Sequence, residues 1–273
     1  MRVTSLFLLL AGGLTLGQLA GCSTAKDSAS HGTTAATGAY PAAVGFNQAG
    51  SDARAVALAD RAMREMGGYD AWSRTRYLAW SFFGGQYQVW DKQTGDFHWE
   101  KDSLVANYNL LAKTGRVFSR GRDISATPAG QQLLGKLNGI WINNSYWLLM
   151  PFKLKDSGVT LGYQGPGQLM TGTPAEVLRL TFANVGDTPQ NRYEVLVSPT
   201  TGLVEEWAYF ANAADAQPAF RRRWADYARH GQVLLAADRS SAAKPARLDN
   251  IAAPATLPPG TMSSPVAIAR LTD

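Results

Sequence analysis

The sequence predicts an α+β protein that is mainly antiparallel β, an unclosed half-barrel of about ten strands wrapped around one or two helices. Three observations predict it. Short runs of alternating apolar and aromatic residues recur between Gly-, Asn- and Asp-rich turns, the pattern of an antiparallel meander. Only two segments carry a helical stripe. Hydrophobic residues make up 45% and aromatic residues 10% of the 273 positions, enough for a sizeable core and rich in strand formers.

In chain order, Arg2 precedes a short apolar run from Leu6 to Leu16, which leads into Leu19-Ala20-Gly21-Cys22. The run is too short for a permanent span, which takes about 20 residues, and reads as a processed signal peptide over 1–21. Cys22 is the chain's single cysteine, so the fold holds no internal disulfide. Residues 22–50 form a tether rich in Ala, Ser, Thr and Gly, unable to bury enough apolar surface to fold alone, with a reach of roughly 30 Å.

The domain is expected over 51–251. Ser51 is positioned to cap a helix over 52–66, with Val56, Ala59, Met63 and Met66 on one face and Gly67-Gly68 ending it. Leu78, Trp80 and Phe82 alternate with residues that are also largely apolar, so this strand should be covered on both faces. Strands follow at 86–89, 96–100, 104–111 and 116–120. Thr127 and Pro128 then start a second helix carrying Leu133, Leu134, Leu137, Ile140 and Trp141, with Tyr146-Trp147-Leu148-Leu149-Met150 continuing to Pro151. Gly130, Gly135 and Gly139 each weaken it by about 1 kcal/mol relative to Ala, which predicts a broken or mobile helix. As core it would fill the barrel; as a lid it would move to admit a ligand. Strands resume at 159–163, before an expected Gly165-Pro166-Gly167 turn, and at 177–182, 192–197, 203–210, 220–224 and 233–237. Residues 252–273, rich in Pro, Ala, Ser and Thr, read as an extended tail.

Two segments carry a family resemblance. Asn144-Ser145-Tyr146-Trp147-Leu148-Leu149-Met150-Pro151-Phe152-Lys153-Leu154-Lys155-Asp156-Ser157-Gly158-Val159 and Pro199-Thr200-Thr201-Gly202-Leu203-Val204 resemble the superfamily of lipoprotein-localization factors, LolA and LolB, and most of all its uncharacterised lipoprotein-sorting-like branch. Leu19-Ala20-Gly21-Cys22 resembles the bacterial lipobox. These resemblances imply cleavage before Cys22, acylation of its thiol, export to the outer membrane facing the periplasm, and a cavity for acyl chains. Trp80, Phe82, Trp99, Trp141, Trp147, Leu148, Met150 and Trp207 are the residues expected to line it. No position matches the arginine that latches the LolA lid or the leucine loop of LolB.

The remaining signals are weaker. The formal charge is +5, falling to +4 without Arg2, and the basic residues are scattered apart from Arg221-Arg222-Arg223. The surplus reads as solubility or attraction to anionic lipid, not nucleic-acid binding. Asp96, His98 and Glu100 share a strand face and are expected to form a solvated outer surface. Arg221 and Arg223 share a face that could grip a carboxylate or lipid phosphate. No nucleophile motif or phosphate loop is visible, so no catalytic residue, metal or cofactor is expected and the chain is not expected to be an enzyme. Its partners are expected to be a membrane, through Cys22, and a lipid or lipoprotein ligand, bound by a monomer. The alternative is an interaction module that displays its sheet surface to another envelope protein.

Overall fold

A computed structural model describes residues 40–183 and 190–273. The 1–21 segment, Cys22 and the expected tether as far as residue 39 lie outside the described residues. Residues 40–50 correct the tether expectation: they pack on the domain, with Phe46 buried in the core, the Ala43 amide donating to the Lys155 carbonyl (2.9 Å) and the Asn47 amide to the Val159 carbonyl (3.0 Å). The first helix, α1 (Ala53–Glu65), and its cap each fall one residue later than the expected start at 52 and the expected cap at Ser51. Asp52 is the N-cap, its carboxylate accepting from the amides of Arg54 (2.8 Å) and Ala55 (3.0 Å). Ser51 is engaged elsewhere: its hydroxyl donates to the Asn47 carbonyl (2.6 Å) and accepts from the Leu161 amide (3.0 Å), tying the helix start to the sheet. Ala55, Ala59, Ala62 and Met63 are buried. Gly67 (φ 118°) reverses the chain in the left-handed region open to glycine. A short helix that periodicity did not reveal, α2 (Gly68–Arg74), follows.

The first sheet is an antiparallel meander of β1 (Tyr77–Phe82), β2 (Gln86–Asp91), β3 (Asp96–Lys101), β4 (Leu104–Asn109), β5 (Thr114–Ser119) and β6 (Arg122–Asp123). Beside β1 lies β14 (Asp249–Ala252), which makes this a seven-stranded sheet. A five-stranded sheet follows, in spatial order β11 (Phe220–Arg223), β10 (Val204–Phe210), β9 (Arg192–Val197), β8 (Pro174–Phe182) and β7 (Val159–Gln168). β12 (Ala225–His230) and β13 (Val233–Asp238) form a two-stranded ribbon. The architecture is the predicted α+β class with unclosed antiparallel sheets; among the described residues the strands number fourteen, divided among three sheets.

Gly165-Pro166-Gly167 is not a turn. β7 runs through it with a register shift between Tyr163 and Gly165, and the chain reverses at 169–173, where the Leu169 amide bonds the Thr173 carbonyl (2.9 Å). Proline is tolerated because β7 is an edge strand that pairs only with β8, so its missing N–H costs no ladder bond.

The long helix α3 (Pro128–Leu149) is continuous over 22 residues, against the expectation of a break. The Thr127 hydroxyl caps it by accepting from the Gly130 amide (3.1 Å). At position 130 glycine is required, since a Cβ would lie 2.0 Å from the Ile124 carbonyl oxygen. Burial of Leu137, Leu148 and Leu149, at about 1.5–3 kcal/mol per side chain, outweighs the glycine penalty. Asn144 adds a polar lock, its amide reaching Gln86 (3.1 Å) and Gln88 (3.2 Å) on β2.

The N-terminal half of α3 lays Leu133, Leu134, Leu137, Ile140 and Trp141 on Phe97, Trp99, Ala106, Tyr108 and Val117. The opposite face of this sheet is also covered. Leu257, Met262, Ile268 and Leu271 of the 252–273 segment pack on Ala79, Tyr87, Val89 and Ala252. This corrects the solvated surface expected around His98: His98 and Glu100 are buried, because the returning chain lies over them. Glu100 accepts from the Ile268 amide (2.7 Å) and from Arg270 (2.6 Å), and His98 lies 3.0 Å from the same carboxylate. Asn107 bonds His98 (2.7 Å) and the Ser264 carbonyl (2.8 Å). Among the described residues no helix is long and apolar enough to cross a membrane.

Candidate functional site: an aromatic cleft

The C-terminal end of α3 faces the five-stranded sheet across a cleft of about 660 Å³. The sheet side follows from strand register. Tyr209 on β10 pairs with Tyr193 on β9 and with Phe220 on β11, so three rings stand in a cross-strand row on one face. Their centroids are 5.7 Å (Tyr193–Tyr209) and 4.9 Å (Tyr209–Phe220) apart, the latter pair stacked. Trp207, two residues from Tyr209, shares that face, and Phe182 completes the wall 4.8 Å from Tyr193.

The helix side is built by Asn143, Tyr146 and Trp147. Residues 143 and 146 lie one turn apart and therefore on one face. Trp147 meets Trp207 edge-on at 4.9 Å and stacks on Phe220 at 5.8 Å. Tyr146 lies 5.6 Å from Tyr193 and 6.0 Å from Trp207. Below them Met150 and Leu154 are buried with α1 and the sheet.

Polar groups are few. Lys153 and Asp156 line the cleft as a mutual ion pair, joined by Asn143, Ser157 and Asn191. Burial, reinforced by Tyr193 and Asp156, holds the Tyr146 phenol well above its ordinary pKa of 10. Burial also raises Tyr193, opposed by a hydrogen bond from Asn191. Both stay neutral and able to donate. The Tyr146 hydroxyl and the Trp207 indole N–H are buried with no hydrogen-bond partner among the described residues. The cleft thus presents a mostly apolar, aromatic surface with a small set of polar groups, the usual makeup of a small-molecule pocket.

Of the eight residues expected to line a cavity, Trp147 and Trp207 do so. Phe82 touches Trp147 from outside, 6.4 Å away. Trp80 and Leu148 are fully buried together in a second core. Trp99 and Trp141 pack between α3 and the seven-stranded sheet, where Trp141 meets Trp90 at 5.0 Å. Met150 lies under the cleft floor with no exposure. Sequence reading passed over Tyr146, Phe182, Tyr193, Tyr209 and Phe220. The alternation that places Tyr209 beside Trp207 was legible; the pairing of β9, β10 and β11 was not.

A second, more polar cleft of about 670 Å³ lies among the 169–173 turn, β10 and β12, with Glu205, Glu206, Arg223 and Trp224 in its lining. Burial raises the Glu206 carboxyl, although the Met170 amide (2.7 Å) and Arg221 oppose the shift. Arg221 pairs with Glu206 and Arg223 with Asp238, so the arginine pair that might have gripped an external anion is matched by internal carboxylates. Among the described residues no group of three or more His, Cys, Asp or Glu side chains is placed to hold a metal ion.

Compared with known families and with curated proteins, the sequence matches none. Among solved structures it is similar to a DUF1329 family protein from Desulfovibrio piger, at a TM-score of 0.40 and 12% identity over 77% of this chain and 97% of that one. It is also similar to an uncharacterized conserved protein from Thermus thermophilus (TM-score 0.24, 11% identity, 62% of this chain and 87% of that one). A third is MucB (TM-score 0.20, 18% identity, 63% of this chain and 66% of that one). At these TM-scores the site rests on its own geometry.

Proposed function

We propose that this chain is an envelope lipoprotein, acylated at Cys22 and held on the periplasmic face of the outer membrane, that binds a hydrophobic ligand in the cleft between α3 and the five-stranded sheet. It acts by binding and not by catalysis. The single observation that carries the reading is the cleft: aromatic rings from one helix and from neighbouring strands bound a volume of about 660 Å³, within the range of pockets that take drug-sized and acyl ligands. The lipobox-like Leu19-Ala20-Gly21-Cys22 supports the anchor. Each buried methylene of an attached chain contributes about 0.8 kcal/mol of membrane affinity, so more than one chain holds a protein stably. The likeness of 144–159 to the lipoprotein-localization superfamily supports the ligand class.

The ligand is tested on the full chain carrying Cys22→Ser, stripped of copurifying lipid. N-phenyl-1-naphthylamine should brighten on binding, and long-chain acyl compounds should displace it with micromolar affinity. Trp147→Ala should weaken displacement at least tenfold. A protein that binds neither dye nor acyl compound sinks the reading. The anchor is tested separately by mass spectrometry of the membrane-extracted protein, where a Cys22 free of acyl groups removes it.

A further inference from the structure

Resting on that reading, we propose that the cleft selects an acyl chain with an anionic oxygen head, a carboxylate or a phosphate, and that Arg222 pairs with that head. Of the Arg221-Arg222-Arg223 run, the outer two are matched within the fold, Arg221 by Glu206 and Arg223 by Asp238. Strand alternation turns Arg222 to the opposite face. There it stands directly across from Trp207 on β10 and two residues from Phe220 on its own strand, and both of those rings line the cleft. Its guanidinium carbon lies 5.7 Å from the centre of the Phe220 ring.

Arg222 forms no ion pair and no hydrogen bond among the described residues. Its Nε and Nη1 are buried in that state, while the side chain as a whole is only half-buried, so Nη2 is the nitrogen that reaches the surface. A guanidinium spreads one permanent charge over its three nitrogens. Burying part of that charge without a counter-ion is costly, and an anionic oxygen at Nη2 offsets the cost, because it meets the whole delocalised cation. Arg222 stands beside the cleft lining, next to the Phe220 ring, and not within it. That is the place for the head of an amphiphile: the chain lies in the apolar volume, and the charge stays at its edge without losing all of its water. The cation within the lining, Lys153, is already paired with Asp156, which leaves the head to Arg222. A hydrocarbon offers this cation nothing, and a neutral ester offers it a bond roughly half as strong as an ionised acceptor does.

The test compares four probes of matched chain length at pH 7.5 and low salt on the full chain with Cys22→Ser: octadecane, methyl stearate, stearate and octadecyl phosphate. Each is read by displacement of N-phenyl-1-naphthylamine. At least one of the two anions should bind on the order of tenfold more tightly than methyl stearate, the ratio that a charge-assisted bond gives over a neutral one. The tighter of the two identifies the head as carboxylate or phosphate, and either result supports the inference. Arg222→Gln should bring both anions to the affinity of methyl stearate and leave octadecane unchanged. Arg222→Lys keeps the charge and should keep part of the advantage. Arg223→Gln, one residue along on the opposite face, should leave the order of the probes as it is. The comparison of probes on the unmodified cleft stands even where an Arg222 variant folds poorly. Anions that bind no more tightly than methyl stearate overturn the inference while leaving the hydrophobic cleft standing. So does an anion preference that survives Arg222→Gln. Failure of all four probes overturns the binding reading itself.

Discussion

The two ends of α3 meet two different sheets, and the contrast locates the site. At its N-terminal half, leucine, isoleucine and Trp141 side chains fill the space against Phe97, Trp99, Tyr108 and Val117. Beyond them, Asn144 ties the helix to Gln86 and Gln88, and Trp99 donates to the same Gln86 (2.8 Å). The other face of that sheet is closed by the chain's last residues, anchored at Glu100. At the C-terminal half, rings face rings across a cleft. Both ends are aromatic, so composition does not separate them. Both also hold buried donors without a hydrogen-bond partner among the described residues, the Trp141 indole N–H at one and the Tyr146 hydroxyl and Trp207 N–H at the other. What differs is room: the rings of Tyr146 and Trp207 border an open volume, whereas Trp141 is packed against the seven-stranded sheet.

The strongest way to break this comparison is to damage the filled end. Phe97→Ala removes a side chain with 1% exposure and should cost about 3–5 kcal/mol of stability, read by urea denaturation. In whatever fraction stays folded, dye affinity should be unchanged. A loss of dye affinity alongside intact stability would mean that the two ends are not separate.

The next largest effect concerns the strap over the seven-stranded sheet. Burial alone would raise the Glu100 carboxyl, but hydrogen bonds from His98, the Ile268 amide and Arg270 outweigh it and hold it below its ordinary 4.5. A depressed carboxylate stabilises the fold at pH above its unfolded value, and that contribution is lost as pH falls through the folded value. Melting temperature should therefore drop between about pH 5 and 3, and Glu100→Gln should flatten this part of the profile while lowering stability at neutral pH. Arg270→Ala should cost about 1–2 kcal/mol, below the figure for a fully buried pair because the arginine side chain is 42% exposed. Heightened proteolysis within 252–273 would report the released strap; an unchanged digestion pattern would show that the apolar contacts hold it alone.

The smallest effect sharpens the comparison from the other side. Tyr146→Phe deletes a buried hydroxyl that has no partner among the described residues, so the ligand-free protein should be unchanged or gain up to about 1 kcal/mol. A clear loss in the same urea denaturation would mean that the hydroxyl is already satisfied in the empty protein.

Much of the fold was readable from local pattern. Period-two alternation located the strands of the meander and most of those in the second sheet, and Thr127-Pro128 marked the start of α3. Failures came where a distant contact overrode a local rule. Glycines that ought to break α3 are held by burial on both sides. Gly165-Pro166-Gly167 stays extended because it sits on an edge. The acidic face of β3 is buried because residues 252–273 fold back over it. Six of the eight residues chosen for a cavity lie outside its lining, since aromatic character marks burial and cannot say whether the neighbouring volume is filled.

The sequence by itself determined the α+β class, the antiparallel strands, the long apolar helix and the lone Cys22, because each depends on residues close together in the chain. Tertiary contacts alone set which aromatic residues meet across an open cleft and which carboxylates are covered. Those outcomes depend on strand register and on segments brought together from more than 100 residues apart, such as Ile268 over Glu100, where no local pattern carries the information.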